Sequence, residues 1–205
     1  MSNLSVVATL RLFNRAFLAA YGVDGVAALA TATFTAYVFN AAYHGFCEAA
    51  GPIIAYKAGT GDMAALRRAI RAGTTAIAAV SAAAFLLSNA GADIIIRRFA
   101  PKNAALRALL AAHYPAYAFS LLFLGLNLFL AYVLSATERG HCAAGLSLVR
   151  TFVLPTAALF ALPLLFEADG LWLAVPAAEC LTLLLAALLL GLPARSSRAS
   201  RATGG

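Results

Sequence analysis

Two carboxylates and one guanidinium stand inside stretches otherwise free of charge, and they are where this sequence could do chemistry. Glu48 has His44 at i−4 and Pro52 at i+4, with Tyr43 beside it. On a helix that spacing puts the histidine and the carboxyl on one face, where they could exchange protons; pairing to an arginine for structure is the other reading. Glu179 follows Pro176 by three residues, and the proline's missing N–H frees a carbonyl nearby. Arg150 lies in the preceding apolar stretch with the opposite sign. An uncompensated charge there is expensive, so Arg150 is expected to pair with Glu179 or to face a watery cavity. The pair could bind a proton or simply hold helices together. Asn14, Asn40 and Asn127 also fall in apolar stretches, where side-chain amides bond across helices or line polar cavities.

The elements that position these groups follow from composition. Of 205 residues, 63% are hydrophobic and only 11% charged, against about 25% charged in a soluble domain. So few charges could not cover a water-soluble globule, so the solvent is lipid. The apolar runs are continuous rather than alternating, which disfavours a β-barrel. An all-α, polytopic membrane bundle of six transmembrane helices is expected, spanning about 4–20, 26–56, 65–88, 106–136, 142–166 and 170–191.

The breaks carry turn chemistry at Tyr21–Gly25, Ala58–Asp62, Thr137–Gly140 and Glu167–Gly170, and Asp62 is placed to cap the helix after it. Residues 89–105 mix Ile94, Ile95, Ile96 and Phe99 with Asp93, Arg97, Arg98 and Lys102, the pattern of a short amphipathic segment at the interface. Pro155 and Pro163 predict bends in the fifth helix. The first span carries Arg11, Asn14 and Arg15 at its centre. Each central arginine costs about 2.5–3.5 kcal/mol on the insertion scale, so this helix needs neighbours. No signal-peptide cleavage is expected, and residues 192–205 read as a disordered cytoplasmic tail.

The net charge of +7 is a topology signal here, not a nucleic-acid one. Lys57, Arg67, Arg68, Arg71 and the arginines of the tail share one side, which puts both termini in the cytoplasm and the chain in a plasma (inner) membrane. No P-loop, dinucleotide fingerprint or metal-ligand spacing occurs, so no cofactor, metal or enzymatic activity is expected, and an ion gradient is the default source of energy. Cys47, Cys142 and Cys180 read as packing residues.

The order of motifs resembles the multidrug and toxic compound extrusion (MATE) transporters. Glu48-Ala-Ala-Gly-Pro-Ile-Ile-Ala-Tyr-Lys-Ala-Gly-Thr-Gly-Asp62 is similar to the family segment where a glutamine-containing helix ends in Pro, Ser-Tyr-Asn and a Gly-Ala-Gly turn. Leu12-Phe-Asn-Arg15 with Tyr21-Gly-Val-Asp-Gly-Val-Ala27 resembles the family's seventh helix and outer turn. Leu148-Val-Arg150 and Gly170-Leu-Trp-Leu-Ala-Val-Pro-Ala-Ala-Glu179 resemble its eleventh and twelfth. The likeness covers the second half of a twelve-helix design, the C-terminal six-helix lobe.

It implies a secondary transporter, of the multidrug/oligosaccharide-lipid/polysaccharide flippase superfamily, that rocks two lobes around a central cavity and exports lipophilic or cationic compounds by antiport. A second six-helix lobe or a homodimer would complete it. Where some members carry acidic cation-site residues in the seventh and tenth helices, this chain has Asn14 and Asn127. A proton is therefore expected rather than sodium, with Glu48 or Glu179 supplying the carboxylate. A truncated lobe that moves nothing and a lipid-linked oligosaccharide flippase are the alternatives.

Overall fold

The computed structural model describes residues 2–137 and 140–191, and within them every element is helical. Glu138, Arg139 and the expected tail, 192–205, lie outside the described residues. Four continuous helical runs are long and apolar enough to cross a bilayer: Leu4–Gly59, Met63–Ala90, Ala104–Ala136 and Cys142–Leu190. The first and last of these each contain a reversal, so the lobe has six long arms.

The first reversal is at Gly22, whose φ of 66° and ψ of −155° no helix contains. It divides the run into α1 (2–21) and α2 (23–59). Val6, Phe13, Leu29 and His44 all line one cavity, which a straight rod of that length, about 1.5 Å per residue, would forbid. Gly25 is needed for the close return: a Cβ there would lie 2.4 Å from that of Tyr21. Asp62 then caps α3 (Met63–Ala90), its Oδ1 accepting from the Ala65 N–H at 2.8 Å, as its place before the helix implied. That hydrogen bond is the main reason its carboxyl is held below the usual carboxylate range.

A short helix, α4 (Ala92–Phe99), occupies the amphipathic segment and stops just before Pro101. Ile96 and Ala100 are buried and Ile95 packs beside them, while Arg97 and Arg98 face outward. Asn103 caps the next helix, accepting from Leu106 N–H at 3.0 Å, and its amide donates to Asp24 at 2.6 Å, tying this end to the Gly22 turn. Helix α5 (Ala104–Ala136) is the centre of the bundle, packed against α3, the last helix and the first run.

The sixth helical stretch, α6 (140–166), is not a uniform α-helix. It widens to a π-helix at Val149–Val153, just before Pro155, and breaks again at Leu162 before Pro163. A tight 167–169 turn follows, with Glu167 at a φ of 52°. The last helix, α7 (Gly170–Gly191), starts hard against α6: a Cβ on Gly170 would lie 2.5 Å from the Leu162 carbonyl.

Apolar packing forms two separate cores. At the end that holds the Gly22 and 167–169 turns, Phe13, Phe17, Leu110, Tyr114, Leu171 and Trp172 pack together. At the other end Tyr43, Ile54, Ile77, Phe129, Val133 and Leu146 do so. Glycines let the helices meet closely there, since a Cβ on Gly73 would strike the Phe129 ring and one on Gly125 would lie 2.5 Å from Ser81 Oγ. Between the two cores lies a polar layer.

Candidate functional site

The polar layer is built around Glu179 of α7. Arg150 Nε approaches both carboxylate oxygens, at 3.2 Å from Oε1 and 3.1 Å from Oε2, so the pairing expected from opposite charge in two apolar stretches is made. Asn127 of α5 completes it, donating from Nδ2 to Glu179 Oε2 at 2.6 Å and to the Glu179 carbonyl at 2.8 Å. The pair is nearly buried, with side-chain exposures of 15% for Arg150 and 12% for Glu179, and Asn127 is fully buried. A carboxylate satisfied by a guanidinium and an amide meets the requirement for a charge removed from water.

The backbone around Arg150 explains its reach. A π-helical turn inserts an extra residue per turn and re-aims the side chains it carries, and such turns recur at functional sites. Pro155 has no N–H to give the Thr151 carbonyl four residues earlier. Thr9 Oγ1 of α1 donates to that carbonyl instead, at 2.8 Å, so the irregular stretch of α6 is locked to the first helix. This contact was missed in reading the sequence. The only signal for it was the proline's place at i+4 from Thr151, which marks the carbonyl and does not say what reaches it.

Two cavities of about 460 Å³ each meet at this layer. The first lies between α1, α2, α5, α6 and α7, with Thr33, Tyr37, Asn40, Tyr117 and Glu179 in its wall. The second lies between α2, α5 and α6 towards the Ala136 end of α5 and includes Asn127, Tyr132 and Ser135. His44, Leu128, Ser147 and Arg150 belong to both. Two acceptors here have no hydrogen-bond partner among the described residues, Asn40 Oδ1 and Asn127 Oδ1. Each asks for a donor from water or a ligand.

The other candidates fall outside the layer. Tyr43 is in the far core and its hydroxyl donates to the Leu121 carbonyl at 3.1 Å, which makes it a packing residue. Glu48, one turn from His44, is exposed and lines neither cavity. Asn14 is half-buried beside Arg15, Leu18, Val23 and Val26, away from Asn127, so the two asparagines do not form a joint site. Arg11 and Arg15 are exposed on the side of α1 turned away from the cavity-lining Thr9 and Phe13.

At the end with the Gly22 turn a second polar cluster forms. Tyr21 donates to Asp169 Oδ1 at 3.2 Å, His113 Nε2 lies 3.7 Å from the same oxygen, and the His113 ring stacks on Trp172 at 5.3 Å. It closes the α1–α2 and α6–α7 turns over α5.

Comparison with known proteins agrees with this architecture. The family model described as MatE matches residues 3–158. Among solved structures, a multidrug resistance MATE family transporter of the MOP superfamily in its outward-facing conformation superposes on 92% of the chain, with a TM-score of 0.83 and 15% identity. An inward-facing conformation of such a transporter matches 93% with a TM-score of 0.82 and 15% identity. A MATE transporter of Vibrio cholerae matches 91% at 0.81 and 17% identity. The chain spans 42%, 45% and 42% of those proteins in turn, somewhat less than half. At such identities the likeness shows the fold. No curated protein is matched by sequence.

Proposed function

The chain belongs to the MatE family, and we propose that it works as one six-helix lobe of a secondary active transporter, exporting lipophilic or cationic compounds in exchange for protons. The observation that carries the reading is the buried Arg150–Glu179–Asn127 layer beside a cavity of about 460 Å³. Among the described residues lining either cavity, Glu179 is the only acidic side chain, and it faces the larger set of polar groups. It is the carboxylate on which a driving proton would act. Glu48, exposed and away from both cavities, is the weaker candidate. A proton suits the layer better than sodium, since an asparagine and not a second carboxylate stands beside Glu179.

A second lobe is part of this reading. The chain spans 42% of the MATE transporter on which it superposes, and in this reading a second lobe supplies the rest and closes the cavity. Arg11 and Arg15 support it, because two exposed arginines on an apolar helix would each be costly against hydrocarbon and are accommodated by water or a protein neighbour. A separate six-helix chain or a second copy would serve. Alternating access then comes from one lobe rocking against the other, with both termini on the cytoplasmic side of the inner membrane.

The test is efflux of a fluorescent lipophilic cation from reconstituted vesicles under an imposed pH gradient, with and without a co-expressed first lobe. Efflux that requires the gradient and is lost in Glu179→Gln is expected. Full efflux in Glu179→Gln removes this carboxylate from coupling, and a monomer-sized species with no partner in mild detergent removes the second lobe.

A further inference from the structure

The second cavity, towards the Ala136 end of α5, raises a separate question by its position. It and the first cavity lie in series along the lobe, the first towards the Gly22 end and the second towards the Ala136 end of α5. They share the wall made by His44, Leu128, Ser147 and Arg150. Glu179 faces the first, Asn127 faces the second, and these two side chains are bonded to each other at 2.6 Å. The ion-paired layer therefore lies where the two cavities meet. Beside each cavity a buried side-chain carbonyl oxygen has no hydrogen-bond partner among the described residues, Asn40 Oδ1 at the first and Asn127 Oδ1 at the second.

We propose that the Asn127–Glu179–Arg150 layer is a proton-operated partition inside this single lobe, and that the chamber beyond it is the path by which protons reach Glu179. This rests on the reading of Glu179 as the coupling carboxylate and adds a route and a gate. A proton from the aqueous chamber adds to a Glu179 oxygen. The carboxyl becomes neutral, and both Arg150 Nε contacts lose their ionic attraction while Arg150 keeps its charge. The layer goes from neutral to a single positive charge, and Arg150 turns towards the polar groups of one chamber or the other. When the proton leaves on the opposite side, the pair re-forms and the partition closes.

The groups that face Glu179 set the local charge. Helix α2 presents Tyr37 and His44, α5 presents Tyr117 and Asn127, and α6 presents Arg150. Helix α1 presents Thr9, with Arg11 and Arg15 exposed on its other side. His44 and Arg150 are thus the ionisable side chains on the shared wall.

The experiment reads the partition directly and needs no transported substrate. In the 205-residue chain with Cys47, Cys142 and Cys180 replaced by alanine, Ala36→Cys reports on the first chamber and Ala131→Cys on the second, with Ser135→Cys as a second probe nearer the Ala136 end of α5. Membrane vesicles of both orientations are treated with a membrane-impermeant thiol reagent at one fixed pH. With Glu179 intact, each cysteine is expected to react from one face only, and the two chambers from opposite faces. Glu179→Gln, a neutral stand-in for the protonated acid, is expected to raise the rate from the second face at least tenfold for both chambers. Rates that are the same with Glu179 intact and in Glu179→Gln, or cysteines at 131 and 135 that react from neither face, overturn the proposal. Loss of pH-driven efflux in Glu179→Gln alongside unchanged accessibility would leave the coupling carboxylate in place and discard only the partition.

Discussion

The polar layer in the middle of the lobe and the polar cluster at its Gly22 end use the same chemistry to different effect. Each joins an acidic side chain to a basic one on another helix, with a third polar group attached. In the middle the carboxylate is 12% exposed and meets the guanidinium at 3.1 Å; at the end Asp169 is 71% exposed and lies 3.7 Å from His113. Removing one partner of a buried pair strands a charge and costs about 3–5 kcal/mol, while a pair open to solvent contributes about 0–1 kcal/mol. The end cluster draws its strength instead from rings, with Phe17, Tyr21, His113 and Tyr117 gathered on Trp172. One region neutralises a buried charge across three helices, and the other is a packed clasp.

That contrast can be broken most directly at Arg150. Arg150→Ala is expected to lower stability by about 3–5 kcal/mol, read as a loss of melting temperature in detergent, because Glu179 is left charged and unpaired. The double change Arg150→Met with Glu179→Leu is expected to recover most of that loss while abolishing pH-driven efflux. A double variant as unstable as the single one would show that the pair is structural cement rather than a site.

The far core offers an uncharged reference. Gly125→Val must displace Ser81 and the Tyr43 ring, and is expected to cost about 1–3 kcal/mol by the same melting measurement without altering the pH dependence of efflux. Thr9→Val leaves the Thr151 carbonyl without its donor, with an expected loss of about 1 kcal/mol, and should loosen α6 enough to raise hydrogen exchange around residues 149–155.

Smaller effects sharpen the end-cluster side. Asp169→Asn is expected to shift stability by less than about 1 kcal/mol, since its carboxylate is open to solvent. At the opposite end of the bundle, Asp62 contributes through a folded-state affinity for protons lower than that of the unfolded chain. Its contribution is present above the ordinary carboxylate range and is lost as pH falls through the folded value. The melting difference between wild type and Asp62→Ala should therefore be small at neutral pH and vanish in acid.

Much of this arrangement was legible in the residues themselves. Gly22, the cap at Asp62 and the stop at Pro101 mark where helices turn, because each depends on local backbone chemistry. The Arg150–Glu179 pair was legible too, as two opposite charges in apolar stretches have few other ways to be satisfied. The amide that joins them was not. Nothing local distinguishes Asn127, which bonds Glu179, from Asn14, which lies elsewhere on the surface of α1.

Composition alone therefore determined the solvent, the helices and the charges that had to be neutralised, since these follow from the free energy of placing side chains in lipid. Which carboxylate faces a cavity is a different matter. Glu48 and Glu179 sit in similar apolar surroundings along the chain, and Tyr43 and His44 are adjacent, yet one of each is turned into the polar layer and the other away. Helical spacing says which residues share a face, and only the packing of five helices around one point decides what that face meets.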